Sequence, residues 1–186
     1  MTEPNECMAF FKLNSNKPDL VKLLQKSPAA EAWEKLTASE HSPGPVNDEE
    51  TLCRQIFSPI HVDADTQQLK PTAFDDASNK GLSTDRLAFC DLEAVKTTGV
   101  RRAEESNQGL SADKQRALHS VALINTRDIR LITYDIKRAF GVYDTGLPHN
   151  QFHADVCQLA IGKQAGRSVR SKLIDLAKVE IILHSA

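Results

Sequence analysis

The stretch His119–Ile136, HSVALINTRDIRLITYDI, decides the fold class of this chain. It is dense in β-branched and apolar residues, and the polar pair Thr126-Arg127 divides it in two. Each half reads as a buried strand, because branched side chains fit a pleated sheet better than a helix. Two shorter runs follow, Phe140–Thr145 (FGVYDT) and Asp155–Gly162 (DVCQLAIG), and each reads as a further strand. The segment Gly166–Ser185 (GRSVRSKLIDLAKVEIILHS) returns to helical spacing, with Val169, Leu173, Leu176 and Leu183 near one side.

Upstream of these strands the signals are helical. In Lys17–Ser27 (KPDLVKLLQKS), Asn16 can cap, Pro18 suits a first turn, and Leu20, Val21, Leu23 and Leu24 supply an apolar side. Ser27–Ser39 (SPAAEAWEKLTAS) repeats that pattern with Ser27 and Pro28, and buries Trp33 and Leu36. Pro43, Gly44 and Pro45 then break the chain. Asn47–Phe57 (NDEETLCRQIF) reads as a third helix with acids in its first turn. Pro59 ends it, and a polar loop follows. Leu82–Gly99 (LSTDRLAFCDLEAVKTTG) reads as a fourth helix, from Ser83 to about Lys96, with Ser83 as cap and Gly99 as stop. Leu110–Leu118 (LSADKQRAL) is a brief helix capped by Ser111. Helices gathered ahead of strands predict α+β. The expected chain has a helical N-terminal half and a mainly antiparallel sheet in the C-terminal half, closed by a C-terminal helix. Residues 1–40 form a helical appendage and 47–186 the α+β domain.

Composition narrows the functions. Only 5% of residues are aromatic and one is Trp, which argues against a surface of many stacking platforms for bases. No apolar run reaches the roughly 18 residues of a membrane span. Glu3 and Glu6 stand where a secretory signal would be basic. The cysteines Cys7, Cys53, Cys90 and Cys157 are scattered without a C-x-x-C pair and read as buried free thiols. The expected location is cytoplasmic. The net charge of −2 divides unevenly: residues 1–100 are acidic overall, and residues 101–186, with 13 Lys/Arg against 9 Asp/Glu, are basic.

Three stretches carry candidate chemistry. His149 and His153 lie four residues apart in Leu147–Asp155 (LPHNQFHAD), with Asp155 two further on. On a helical turn the imidazoles would share a side and could hold a metal or serve as base. Pro148 and Asn150 favour a loop instead. In His61–Asp65 (HVDAD) an extended backbone would put His61, Asp63 and Asp65 on one face. Gly162–Ser168 (GKQAGRS) follows a strand and opens a helix. There Gly162, Lys163, Gly166, Arg167, Ser168 and Arg170 offer backbone amides and cations to an anion, though in neither the order G-x-x-x-x-G-K-[ST] nor G-x-G-x-x-G. Ser83 and Asp85 read as helix caps, with Arg86 available for a carboxylate or a ligand.

The leading expectation is a small non-catalytic protein that binds a partner or a phosphate-bearing anion through its basic C-terminal half. One alternative is a small hydrolase, possibly metal-assisted, using His149, His153, Asp155, His61 and Asp63. Another is a protein–protein adaptor working through the N-terminal helices. Nucleic acid stays open as an anionic partner. No membrane, no cofactor and no defined set of metal ligands is expected.

Overall fold

A computed structural model describes residues 5–181. The chain begins with three short helices, α1 (Glu6–Asn14), α2 (Leu20–Leu24) and α3 (Ala30–Trp33). The strands β1 (Thr51–Ser58) and β2 (Leu82–Arg86) follow, joined through a 3-10 segment at Pro71–Ser78. Next come α4 (Leu92–Asn107), β3 (Ala117–Asn125), α5 (Thr126–Leu131) and a small hairpin, β4 (Thr133–Tyr134) with β5 (Lys137–Arg138). The described chain ends with β6 (Phe140–Tyr143), β7 (His153–Gln158), α6 (Lys163–Leu176) and β8 (Lys178–Ile181).

Six of the strands form one antiparallel sheet in the order β6-β7-β2-β1-β3-β8. The fold is therefore α+β with an antiparallel sheet. The central pair is β1 with β3, in register from Thr51↔Asn125 to Ser58↔Ala117, with a bulge at Ile56/Phe57. One face of the sheet buries Leu52, Ile56, Leu82, Ile124 and Val156 under Phe74 of the 3-10 segment and Val169 and Leu173 of α6. On the other face α4 packs Val95 against Cys53 and Val121. Gly99 lies inside α4 rather than at its end. A Cβ there would come within 2.8 Å of Leu118, so glycine is what lets the helix approach β3.

Several segments differ from their sequence patterns, each for a tertiary reason. Asn47–Phe57 is not a helix. Its residues 51–57 form β1, which is covered on both faces, so its apolar residues show no strand alternation. Leu82–Gly99 splits: its first five residues are β2, and Asp91 rather than Ser83 caps α4, accepting from Ala94 N at 2.6 Å. Thr126–Leu131 is helical because the Asn125 side chain caps it, accepting from Arg127 N, with Asp128 in its first turn. The sheet thus draws β1 and β2 from the N-terminal half, which is not wholly helical. The C-terminal helix α6 is followed by β8, which pairs with β3 as an edge strand.

The N-terminal helices share one apolar cluster with the sheet. Cys7, Phe11, Leu20, Leu24 and Trp33 pack with Tyr143 of β6 and Cys157 of β7. Glu34, 4% exposed, accepts from Val142 N and meets Arg130 and Arg138. Burial pushes its carboxyl above the ordinary range, opposed by Arg138, the Val142 N–H and Arg130. Among the described residues no helix is long and apolar enough to cross a membrane.

A second buried ion pair closes the sheet at the end of β2. Arg86, 1% exposed, donates from Nε and Nη2 to the two oxygens of Glu50, each at 2.7 Å, and also to the carbonyls of Gly44 and Pro45. Its guanidinium lies 4.7 Å from the Phe89 ring centroid. Removing one partner of such a pair strands a buried charge. Glu50→Ala is therefore expected to lower the unfolding free energy by about 3–5 kcal/mol in urea at neutral pH. A loss below about 1 kcal/mol would mean that the pair behaves like a surface salt bridge.

Candidate functional site

The β1–β2 ladder consists of two pairs, Leu52↔Arg86 and Cys53↔Asp85. Beyond it, Arg54 Nη1 donates to the Ser83 carbonyl at 3.1 Å, and a pocket opens. Four cationic side chains line it: Arg54 from β1, Lys80 from the turn before β2, Arg102 from α4 and Arg116 just ahead of β3. Two carboxylates, Asp76 and Asp85, share it. Phe57, Ser83, His61 and His153 line it as well. The cavity is small, about 170 Å³.

The cations are unevenly satisfied. Arg54 has 12% of its side chain exposed, and its nearest carboxylate oxygen is Asp76 Oδ2 at 3.6 Å. Asp76 is shared with Lys80 at 3.7 Å. Burial pulls the Arg54 guanidinium below its ordinary value, with Asp76 opposing. Arg116 lies 5.2 Å from the Phe57 ring centroid and donates to Ser106 Oγ. The Nε atoms of both Arg54 and Arg116 are buried without a hydrogen-bond partner. Arg102 donates to Gln55 Oε1 at 3.1 Å, and Gln55 is itself held by Val95 O. None of these three has the bidentate carboxylate that Arg86 has.

The histidines have defined roles. Phe57 N donates to His61 Nδ1 at 3.1 Å, so Nδ1 is the acceptor and the neutral ring carries its proton on Nε2. Burial lowers the His61 pKa to about 4, helped by the charge of Arg54. His61 is thus a neutral donor at working pH. His153 is the opposite. Its Nδ1 lies 3.1 Å from the Thr145 carbonyl, which only accepts, so the proton sits on Nδ1. Thr145 Oγ1, 3.0 Å from the same nitrogen, donates to Asp155 Oδ2 at 2.7 Å. Asp155 Oδ1 is 3.8 Å from His153 Nε2. In the neutral ring the lone pair is then on Nε2.

The structure brings together some of the residues singled out in the sequence and separates others. His61 and His153 line one pocket, and Asp155 stands behind His153, 8% exposed. Asp63 is engaged in its own turn, accepting from Asp65 N, Thr66 N and Thr66 Oγ1, which hold its carboxyl below the usual range. It does not line the pocket. His149 sits at the exposed tip of a turn closed by Leu147 and Asn150, whose backbones exchange hydrogen bonds. That turn is why His149 and His153 do not share a helical face. Asn150 instead donates to Oδ1 of Asp85, a residue of the pocket wall, at 2.6 Å. Ser83 and Asp85 are strand residues, paired with Asp155 and His153, not helix caps. Arg86 is consumed by Glu50.

The glycine turn before α6 lines a separate depression, where Gly162, Gly166, Arg167 and Arg170 face Lys22 and Gln25. There Arg170 is neutralised by Asp75 at 2.6 Å, and Ser168 is exposed. The Lys163 side chain lies outside the described residues. Sequence reasoning missed Arg54, Lys80, Arg102 and Arg116. Arg54 alone left a signal, a cation inside the otherwise uncharged run TLCRQIF. Among the described residues no three His, Cys, Asp or Glu side chains gather in a way that could hold a metal ion. Burial raises the thiols of Cys7 and Cys53 to about 12 and Cys90 to about 11, so none of these three is a poised nucleophile. The chain matches no family model, no curated protein and no solved structure in the three comparisons made.

The His61 geometry sets a pH dependence. Its folded pKa of about 4 lies below the ordinary 6.5, so the unfolded chain binds the extra proton first. The stabilisation from keeping His61 neutral is fully present above pH 6.5 and is lost as pH falls towards 4. In His61→Gln the amide oxygen can still accept from Phe57 N. The urea midpoint of the wild type is expected to drop further than that of this variant between pH 7 and pH 4.5. Parallel profiles would show that His61 is not held neutral.

Proposed function

We propose that this protein binds a phosphate-bearing ligand in the pocket between β1, β2 and α4. One observation carries the reading: four cationic side chains line one small pocket where only Arg54 and Lys80 come within ion-pair reach of a carboxylate, Asp76, and the Nε atoms of Arg54 and Arg116 are buried donors without partners. Guanidiniums bind phosphate oxygens through short, charge-assisted hydrogen bonds. The His61 Nε2–H adds a neutral donor that does not depend on pH above about 6.5. Asp76, shared between Arg54 and Lys80, holds the two cations near each other. The cavity is smaller than the roughly 300–1,000 Å³ of pockets that enclose a whole small molecule. It therefore takes the phosphate group and leaves the carrier at the mouth.

This places the anion among residues of both halves of the chain rather than at the glycine turn, where Asp75 already neutralises Arg170. Calorimetric titration with pyrophosphate at low ionic strength tests the assignment. The wild type is expected to bind, and more weakly as salt rises. Arg54→Gln and Arg116→Gln are expected to lose at least about tenfold in affinity, with the circular dichroism of the fold retained. Arg167→Gln and Arg170→Gln are expected to leave affinity unchanged. No binding by the wild type, or loss through the Arg167 and Arg170 variants alone, overturns the assignment.

A further inference from the structure

We propose that the same pocket cleaves phosphodiesters that carry a hydroxyl next to the phosphate, as a ribonucleotide strand does, with His153 as the proton acceptor. This rests on the phosphate-binding reading above and adds a reaction to it. A binding pocket needs donors, and His153 offers the reverse. Its Nδ1–H is fixed on the Thr145 carbonyl at 3.1 Å, which leaves the neutral ring's lone pair on Nε2, and the side chain lines the pocket together with the four cations. Asp155 accepts from Thr145 Oγ1 at 2.7 Å, and its other oxygen lies 3.8 Å from Nε2, so the carboxylate ties Thr145 and the imidazole into one arrangement. A ring whose Nδ1–H is fixed on a carbonyl, so that its neutral form carries the lone pair on Nε2, has the geometry of a general base.

The nucleophile comes from the substrate, because the pocket does not preset one. Thr84 Oγ1 donates to the Ala154 carbonyl, and no hydroxyl of the pocket is hydrogen-bonded to His153 Nε2. A hydroxyl adjacent to the bound phosphate is already in place, which removes the entropic cost of recruiting a second reactant. His153 Nε2 takes the proton from that hydroxyl, and its oxygen forms a bond to phosphorus. The bond from phosphorus to the leaving oxygen breaks with its electron pair, and the leaving oxygen takes a proton from water at the open mouth. His153 then returns its proton to solvent. Arg54 and the His61 Nε2–H face the charge that builds on the phosphoryl oxygens. The products are a cyclic phosphate and an alcohol. His153 and Arg54 are the catalytic residues, and Thr145 and Asp155 are positioning residues.

The full chain is assayed with a uridine hexanucleotide and its 2′-deoxy counterpart, by chromatography of the products and by fluorescence anisotropy of the labelled strands. Cleavage of the ribo strand to a 2′,3′-cyclic phosphate, with the deoxy strand bound but intact, is the expected result. His153→Ala is expected to lose about 100-fold or more in rate while still binding pyrophosphate. Asp155→Asn is expected to lower kcat and leave KM unchanged, which a purely structural role would not do. Binding of pyrophosphate and of both strands without cleavage of either overturns the proposal and leaves the binding reading intact. Cleavage that survives in His153→Ala also overturns it. Failure of the wild type to bind any phosphate defeats both.

Discussion

The buried pair of Arg86 and Glu50 is the constraint on which the rest of the molecule depends. Arg86 lies at the end of β2, and its guanidinium gathers both oxygens of Glu50 and the carbonyls of Gly44 and Pro45. Its backbone N–H donates to the Phe152 carbonyl at the entry to β7. Three segments distant in sequence are thereby fixed at one point. Asp85 and His153 stand one residue away, on Arg86 and Phe152 respectively, and are paired across the β2–β7 ladder. The wall of the pocket inherits its position from a buried charge pair. The cost of burying two charges is offset by four hydrogen bonds from the guanidinium, two to the carboxylate and two to carbonyls.

The arginines of this protein divide by how completely they are satisfied. Arg86 has its carboxylate, and Arg130 and Arg138 share Glu34. Those groups join elements: the loop before β1 to β2, and α3 to α5 and β5. Arg54, Arg102 and Arg116 have carbonyl, amide and hydroxyl partners, with a carboxylate only at 3.6 Å from Arg54. A guanidinium bound to neutral groups keeps its net charge, and three of them around a small cavity create a positive potential in the sheet. The contrast between saturated and unsaturated arginines separates structure from ligand chemistry more clearly than net charge by halves of the chain does.

Part of this was legible in the sequence. β3, β6 and β7 announced themselves as branched apolar runs, and the turn residues Pro148 and Asn150 marked Leu147–Asp155 as a loop rather than a helix. β1 was hidden because both of its faces are covered, so Leu52, Cys53, Ile56 and Phe57 are all buried and alternation disappears. Glu50 looked like a favourable charge in a helical first turn; its partner Arg86 lies far along the chain. The meeting of His61 with His153 depends on strand order, which passes from β1 through β2 to β7, and no local pattern encodes that order. The cations of α4 and the approach to β3 are spaced like an ordinary solvated surface, and only packing on the sheet brings Arg102 and Arg116 to the edge of the pocket.

The central claim is that an anion sits among Arg54, Arg116 and His61. The most direct measurement is an anomalous difference map from a crystal soaked in tungstate, a heavy analogue of phosphate. The account predicts a peak within hydrogen-bond reach of the Arg54 guanidinium and the His61 Nε2–H. A pocket holding only solvent, with the tungstate at the glycine turn before α6 instead, would contradict it.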